Sequence, residues 1–93
     1  MQTVFNFYQD PGHGWVKVPL TLLKELQIEK EISYFSYYRK GYVYLEEDSD
    51  FSKFIQAMKE KKQSTLGEGN IKPFHTDRSS KIRRYESYNK EIA

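Results

Sequence analysis

The sequence predicts a single α+β domain, in which a small antiparallel sheet of about four strands packs against two helices in the order ββαββα. Two observations lead to this fold class: several short segments show the period of two that is typical of strands, and apolar residues recur at helical spacing in two others. A chain of 93 residues builds one hydrophobic core, and with 16% aromatic residues much of it must be Phe and Tyr. We expect the domain to span residues 1–62, and residues 63–93 to form a linker and a basic C-terminal segment, packed on the domain or separate from it.

The first part of the chain is expected to form two strands and a short helix. Residues 4–8 are rich in β-forming side chains and end at the turn sequence of residues 10–14, where proline fixes φ and glycine permits positive φ. A second strand begins at Trp15. After Pro19, which a first helical turn tolerates, leucines recur at helical spacing and predict a helix over residues 20–27.

The middle of the chain predicts a β-hairpin. Residues 32–39 and 42–46 both show the period of a strand, and Lys40-Gly41 between them is a turn sequence. Five tyrosines are concentrated here, namely Tyr34, Tyr37, Tyr38, Tyr42 and Tyr44. Two or three of these rings are expected to pack in the core, because a sheet has two faces, and the others are expected on the surface.

A second helix is predicted from apolar residues at positions i, i+3, i+4 and i+7. They are Phe51, Phe54, Ile55 and Met58. Either Asp48 or Ser49 is expected to cap this helix, with Asp50 in its first turn. The lysines of residues 59–62 suit its C-terminal end.

The C-terminal third carries the excess positive charge. Residues 1–62 contain nine Lys or Arg and nine Asp or Glu, whereas residues 63–93 contain six and four. Lys81, Arg83 and Arg84 form the densest part, which either contacts phosphates or an acidic protein face or is a solvated tail. The spacing of Ile82 and Tyr85 fits either a helical turn or an extended arm laid across the sheet.

The tyrosine-rich hairpin is the candidate binding surface. Aromatic rings beside charged residues are typical of protein interfaces, because a rigid ring loses little conformational entropy on binding. The same rings can stack on unpaired bases, but the acidic residues 46–48 would repel a phosphate backbone. We therefore expect a protein partner. The predicted contacts are Trp15, Tyr37, Arg39, Tyr42 and Tyr44.

No catalytic, metal or cofactor site is expected. The chain has no cysteine, and His13 and His75 lie far apart without a third ligand at a recognisable interval, so zinc is not predicted. The glycine-rich turn around His13 lacks the Lys-Ser/Thr ending of a P-loop, and the carboxylates of residues 46–50 do not have the spacing of a calcium loop. Ser79 and Ser80 lie near His75, but in a segment poorly suited to hold a rigid catalytic triad.

The sequence also predicts where the protein resides. The N-terminal residues show no basic region followed by an apolar run, and no segment approaches the roughly 18 to 20 apolar residues of a membrane span. The lack of cysteine fits a reducing compartment. We expect a soluble monomer or homodimer in the cytoplasm of a bacterial host cell.

Several segments together resemble a family of small proteins carried by phages and plasmids. Residues 8–15 read Tyr-Gln-Asp-Pro-Gly-His-Gly-Trp and residues 44–50 read Tyr-Leu-Glu-Glu-Asp-Ser-Asp, and residues 23–28 and 80–85 extend the likeness over most of the chain. The resemblance implies an accessory protein of a mobile element, with no assigned chemistry. Small proteins of this kind often bind and block a host machine, including restriction and CRISPR effectors.

A second, local resemblance concerns residues 14–28 and the hairpin that follows. This order of strand, proline, short helix and hairpin is similar to the swapped-hairpin barrel of antitoxin-like and transition-state-regulator DNA binders. The chain departs from that pattern at Leu20, where a basic residue is usual, and it lacks a Pro-Gly-Asp turn before the hairpin. The resemblance implies an intertwined dimer, with Lys17 and Lys24 contacting phosphates.

These patterns predict a non-enzymatic accessory protein that binds and masks a host protein, as an inhibitor of a bacterial defence system such as CRISPR or restriction. The alternative is a small DNA- or RNA-binding regulator that uses the basic C-terminal segment and the exposed tyrosines.

Overall fold

The computed structural model describes residues 3–92 of the chain, with the backbone alone at position 68. Within these residues the elements in chain order are β1 (Phe5–Gln9), β2 (Gly14–Pro19), α1 (Leu20–Glu25), β3 (Tyr37–Arg39), β4 (Tyr42–Glu46), α2 (Phe51–Lys62), β5 (Ile71–His75) and β6 (Glu86–Ser87). Short 3₁₀ turns at Glu68–Asn70 and Lys81–Arg84 precede β5 and β6. None of the described helices has the length and apolar character needed to cross a membrane.

The strands form one sheet in the order β5-β1-β2-β4-β3-β6. β1 and β5 run parallel, and the other neighbours are antiparallel. The α+β class is confirmed, but the predicted antiparallel sheet of four strands in the order ββαββα is not matched, because the chain beyond residue 62 adds one strand to each edge and one of these, β5, runs parallel to its neighbour. Neither added strand has a clear sequence signal. β5 contains Pro73, which is tolerated only because β5 is an edge strand, and β6 has just two residues.

The core lies between one face of the sheet and the two helices. Strands β2 and β4 each direct two fully buried apolar side chains to this face: Val16, Val18, Val43 and Leu45. Phe54 of α2 meets Phe5 of β1 edge-on, with ring centroids 5.2 Å apart. Ile55 was predicted to face the core but is exposed, and Ala57 takes a buried position instead.

Part of the core comes from the C-terminal segment. Tyr88 is fully buried, its backbone N–H donates to the Ser36 carbonyl at 2.9 Å, and its hydroxyl donates to the Glu29 carbonyl. Burial is the main reason that the pKa of Tyr88 rises to about 12. The last residues therefore contribute to the same core as the helices.

The predicted hairpin turn is confirmed, but the strand before it is much shorter than expected. Lys40 and Gly41 have positive φ values of 49° and 87°, as a two-residue turn of this hand requires. β4 has the predicted bounds, whereas residues 32–36 are irregular with a turn at Tyr34 and Phe35, and β3 begins only at Tyr37. Alternation alone was misleading here, because Ser33 and Ser36 turn towards a buried carboxylate.

That carboxylate belongs to Asp50, which is fully buried. It accepts hydrogen bonds from the Ser33 hydroxyl at 2.7 Å, the Ser36 hydroxyl at 2.5 Å and the Lys53 ammonium at 2.9 Å, and also from the Ser33 backbone N–H at 3.1 Å. The Ser36 hydroxyl in turn accepts from the backbone N–H of Glu46 at 3.0 Å. One carboxylate thus holds the 32–36 turn, the end of β4 and the start of α2 together.

The predicted capping of α2 is therefore wrong. Asp50 rather than Asp48 or Ser49 occupies the N-cap position, and its side chain makes no capping hydrogen bond to the helix. Burial by itself would raise the pKa of Asp50, but the hydrogen bonds from Ser36, Ser33 and Lys53 outweigh it and lower the pKa.

Replacing Asp50 with alanine should destabilise the fold by about 2–4 kcal/mol, because it leaves the buried hydroxyls and the Lys53 ammonium without their acceptor. Urea unfolding of the two purified proteins measures this difference. Asp77→Ala is the matched control, because the Asp77 side chain is 97% exposed and its loss should change stability by less than about 0.5 kcal/mol. Equal midpoints for the two variants would contradict the role assigned to Asp50.

Candidate functional site

The second face of the sheet is aromatic. Alternation along the strands and the cross-strand register place six rings on this side. They belong to Tyr8, Trp15, Tyr37, Tyr42, Tyr44 and Phe74, and we call this surface the aromatic face. It is the side of the sheet opposite the two α-helices.

The centre of the aromatic face is covered by the chain around the second 3₁₀ turn. Ile82 is buried against Trp15 and Tyr44, and the Tyr85 ring lies 5.1 Å from that of Tyr44. Trp15 is 2% exposed and Tyr44 7% exposed. Burial, with smaller effects of Tyr85 and Tyr8, raises the pKa of Tyr44 to about 12.

The expectation that Trp15 and Tyr44 lie on an open binding surface is therefore wrong. An arm laid across the sheet was one of the two predictions for Ile82 and Tyr85, but the residues that this arm covers were not predicted. Of the other predicted contacts, Tyr37 is half-buried, while Arg39 and Tyr42 are exposed. Whether any of the three touches a partner stays a prediction.

Asp10 holds the chain around the second 3₁₀ turn against the sheet. Its buried carboxylate accepts hydrogen bonds from the backbone N–H groups of Gly12 and His13, each at 2.9 Å, which shapes the turn between β1 and β2. It also accepts from the Ser80 backbone N–H at 2.9 Å, and from Nε and Nη2 of Arg83 at 2.6 and 2.9 Å. The Arg83 guanidinium holds the pKa of Asp10 well below its ordinary range, against the opposing effect of burial.

Because Arg83 pairs with Asp10, the three predicted basic contacts have different environments. Arg83 is engaged with Asp10 and lies over the Trp15 ring at 5.4 Å, so it is not a free cation as the sequence suggested. Lys81 and Arg84 are exposed. Contact of these two residues with a polyanion or an acidic partner stays a prediction.

A cleft of about 480 Å³ adjoins the covered part of the aromatic face. Tyr34 and Phe35 line it, stacked on each other at 4.6 Å and exposed by 69% and 56%. Trp15 and Tyr37 also line it, with their rings 6.2 Å apart. Phe35 was not among the predicted contacts, because it was predicted to lie on a strand and not in a turn.

The polar side of the cleft joins His13 to the end of β4. His13 Nδ1 lies 3.4 Å from Oε1 of Glu46, and ligand atoms of His13, Glu46 and Asp48 all lie within 4.8 Å of one another. The register of Trp15 opposite Glu46 brings these residues together, and the Glu47 backbone N–H donates to the Gly14 carbonyl at 2.9 Å. Sequence reasoning paired His13 with His75 and therefore missed this cluster; His75 lies 3.2 Å from Asp77 instead.

Carboxylates are crowded at this point. The pKa of Glu47 is raised, first by burial and then by the negative charges of Asp48 and Glu46, while His13 opposes the increase. The site therefore favours a cation near these oxygens.

Outside the cleft, the open part of the aromatic face carries cations above rings. Lys17 Nζ lies 4.3 Å from the centroid of Tyr42, and Lys72 Nζ lies 5.5 Å from that of Phe74. Phe74 is exposed and stacks on Tyr8 at 5.2 Å. Arg39 lies over the ring of Tyr85 at 5.0 Å in the same way.

Comparison of the chain with protein-family models, curated proteins and solved structures found no significant match. The function is therefore inferred from the geometry of the chain itself.

Replacing Arg83 with alanine should loosen the cover over the aromatic face, because the buried Asp10 carboxylate loses its two charge-assisted hydrogen bonds. We expect a loss of about 2 kcal/mol in urea unfolding and a red shift of Trp15 emission. Arg84→Ala is the matched control and should change neither quantity. Unchanged emission and stability in Arg83→Ala would show that the pair does not hold the segment.

The same pair predicts how stability depends on pH. Because the folded-state pKa of Asp10 is depressed, its contribution is complete above the unfolded-state pKa of about 3.9 and is lost as the pH falls through the folded-state value. Urea midpoints measured between about pH 5 and pH 2 should therefore fall more steeply for the wild type than for Arg83→Ala. Parallel curves for the two proteins would contradict this assignment.

Proposed function

We propose that the protein is a non-enzymatic binding protein that attaches to a host protein and masks its surface. The observation that supports this best is the stacked pair of Tyr34 and Phe35 at the mouth of the cleft. Two large aromatic side chains exposed side by side form the kind of contiguous apolar surface that marks interaction sites, and aromatic residues are enriched among those that contribute most to binding energy.

The rigidity of the pair strengthens the proposal. Residues Ser33 and Ser36 flank it, and both hold the buried Asp50 carboxylate. The Phe35 backbone N–H also donates to the Ser33 hydroxyl at 3.2 Å. The two rings are therefore presented by a turn that is already ordered, so little conformational entropy is lost when a partner binds.

The cleft beside the stacked aromatic pair adds a concave region to the proposed interface. A side chain of the partner can enter this cleft, whose lining includes the rings of Phe35 and Tyr37 and the side chains of Glu46 and Asp48. This combination of apolar anchors and a polar rim is the usual anatomy of a specific protein interface.

The resemblance to mobile-element accessory proteins suggests which partners are relevant. In this proposal the masked protein belongs to a bacterial defence system, such as a restriction or CRISPR effector, and the complex forms in the host cytoplasm.

The double variant Tyr34→Ser, Phe35→Ser should lose partner binding without losing stability, because both rings are exposed and the Asp50 network is untouched. Affinity capture from a bacterial lysate identifies the partner, and titration of the purified pair should show an affinity lower by about thirtyfold or more. Ile55→Ser is the matched control, since Ile55 is an exposed apolar residue on the helical side of the molecule. A double variant that binds the purified partner as the wild type does would remove this surface from consideration.

A specific observation favours a second candidate function, binding of single-stranded nucleic acid. The cations over Tyr42 and Phe74, together with the stack of Phe74 on Tyr8, resemble the way sheet surfaces hold bases by stacking and phosphates by charge. Lys81 and Arg84 lie on the segment that crosses the same face.

Under this second candidate, affinity for a single-stranded oligonucleotide should fall steeply as salt rises. The double variant Lys17→Ala, Lys72→Ala should weaken binding and flatten the plot of log affinity against log salt by about 0.7 per lost phosphate contact. Lys59→Ala on α2 is the control and should leave the slope unchanged. A gel-shift series in salt provides the measurement, and absence of any shift at low salt would reject the candidate.

A further inference from the structure

The cluster of His13, Glu46 and Asp48 has the geometry of a metal site. Two ligands that each lie about 2.1 Å from a tetrahedral zinc ion are about 3.4 Å apart. This is the separation observed between His13 Nδ1 and Glu46 Oε1. The third ligand atom lies within 4.8 Å of both, and it belongs to an exposed aspartate whose side chain is free to approach.

The orientation of Glu46 supports the same assignment. Its Oε2 atom accepts hydrogen bonds from the Asp48 backbone N–H at 3.0 Å and from the Ser49 hydroxyl at 2.7 Å. These contacts fix the carboxylate and leave Oε1 directed at His13, as supporting hydrogen bonds do in metal sites. Glu46 is buried, and among the described residues it pairs with His13 and with no lysine or arginine.

An independent observation comes from Trp15, which lines the same cleft. Its indole nitrogen is buried and has no hydrogen-bond partner among the described residues. An indole N–H is a donor only, and this one lacks an acceptor among the described residues. A metal ion with three protein ligands keeps a position for a water or another oxygen ligand, which would bring an acceptor into the cleft that Trp15 lines.

We propose that this cleft binds a divalent transition-metal ion such as Zn²⁺ through His13 Nδ1 and the carboxylates of Glu46 and Asp48. One imidazole with two carboxylates suits Zn²⁺ and related ions better than Mg²⁺ or Ca²⁺, which take oxygen ligands. The bound ion joins the turn of residues 10–14 to the end of β4 and so stiffens one side of the cleft. The site needs no partner protein and does not depend on the proposed binding function.

The experiment uses the full chain without a histidine tag, treated with EDTA and then freed of the chelator. Titration calorimetry with Zn²⁺ should show one ion bound per chain. Titration with Cu²⁺ should quench the fluorescence of Trp15, the single tryptophan, in a saturable way, because the His13 ring lies 6.1 Å from it.

His13→Ala and Asp48→Ala should each weaken Zn²⁺ binding at least tenfold, and Asp48→Ala should leave thermal unfolding of the metal-free protein unchanged because Asp48 is exposed. His75→Ala is the matched control, because His75 also lies beside a carboxylate but has no third ligand in the group. It should bind Zn²⁺ as the wild type does.

Wild-type Zn²⁺ affinity in His13→Ala, or no heat of binding at millimolar Zn²⁺, would overturn the assignment. A loss of binding confined to His75→Ala would overturn it as well. Since the titration contains no partner, its outcome is separate from that of the Tyr34 and Phe35 capture experiment.

Discussion

The pairing of Asp10 with Arg83 determines what the second face of the sheet can do. Asp10 shapes the turn between the first two strands, and the same carboxylate binds Arg83, which follows it by 73 positions. Because this carboxylate is buried, its charge requires these donors, and the guanidinium supplies two of them. The interaction brings Ile82 and Tyr85 onto Trp15 and Tyr44, and it places Arg83 in the lining of the cleft. Without it, the covering segment would keep its attachment through β6 and Tyr88 but would lose its link to the turn between β1 and β2.

A second buried carboxylate gives the molecule its exposed rings. Ser33 and Ser36 direct their hydroxyls at the Asp50 carboxylate, and the side chains of the two residues between them therefore point to solvent. Tyr34 and Phe35 are thus exposed because the hydroxyls on either side of them are directed at Asp50. A buried charge with a full set of donors is costly to assemble but holds one geometry, and this suits a turn that must present two rings in a fixed arrangement. The rings at the centre of the aromatic face are therefore covered, whereas the stacked pair at the mouth of the cleft is exposed.

The sequence predicted the parts of the fold that depend on local rules. The Lys40-Gly41 turn, the bounds of β4 and the position of α2 follow from turn chemistry and periodicity. Strands β5 and β6 escaped prediction, because they form only by pairing with β1 and β3, which are distant in sequence. The meeting of His13 with Glu46 depends on the register between β2 and β4, and that register cannot be read from either segment alone. Asp50 was misinterpreted for the same reason, since its partners in residues 33–36 lie far upstream.

The long separation between Asp10 and Arg83 also bears on synthesis. A ribosome makes the chain from its N-terminus, so Trp15 and Tyr44 leave the exit tunnel well before the residues that will shield them. During that interval the aromatic face of the nascent sheet stays exposed to water until Ile82 and Tyr85 can pack on it.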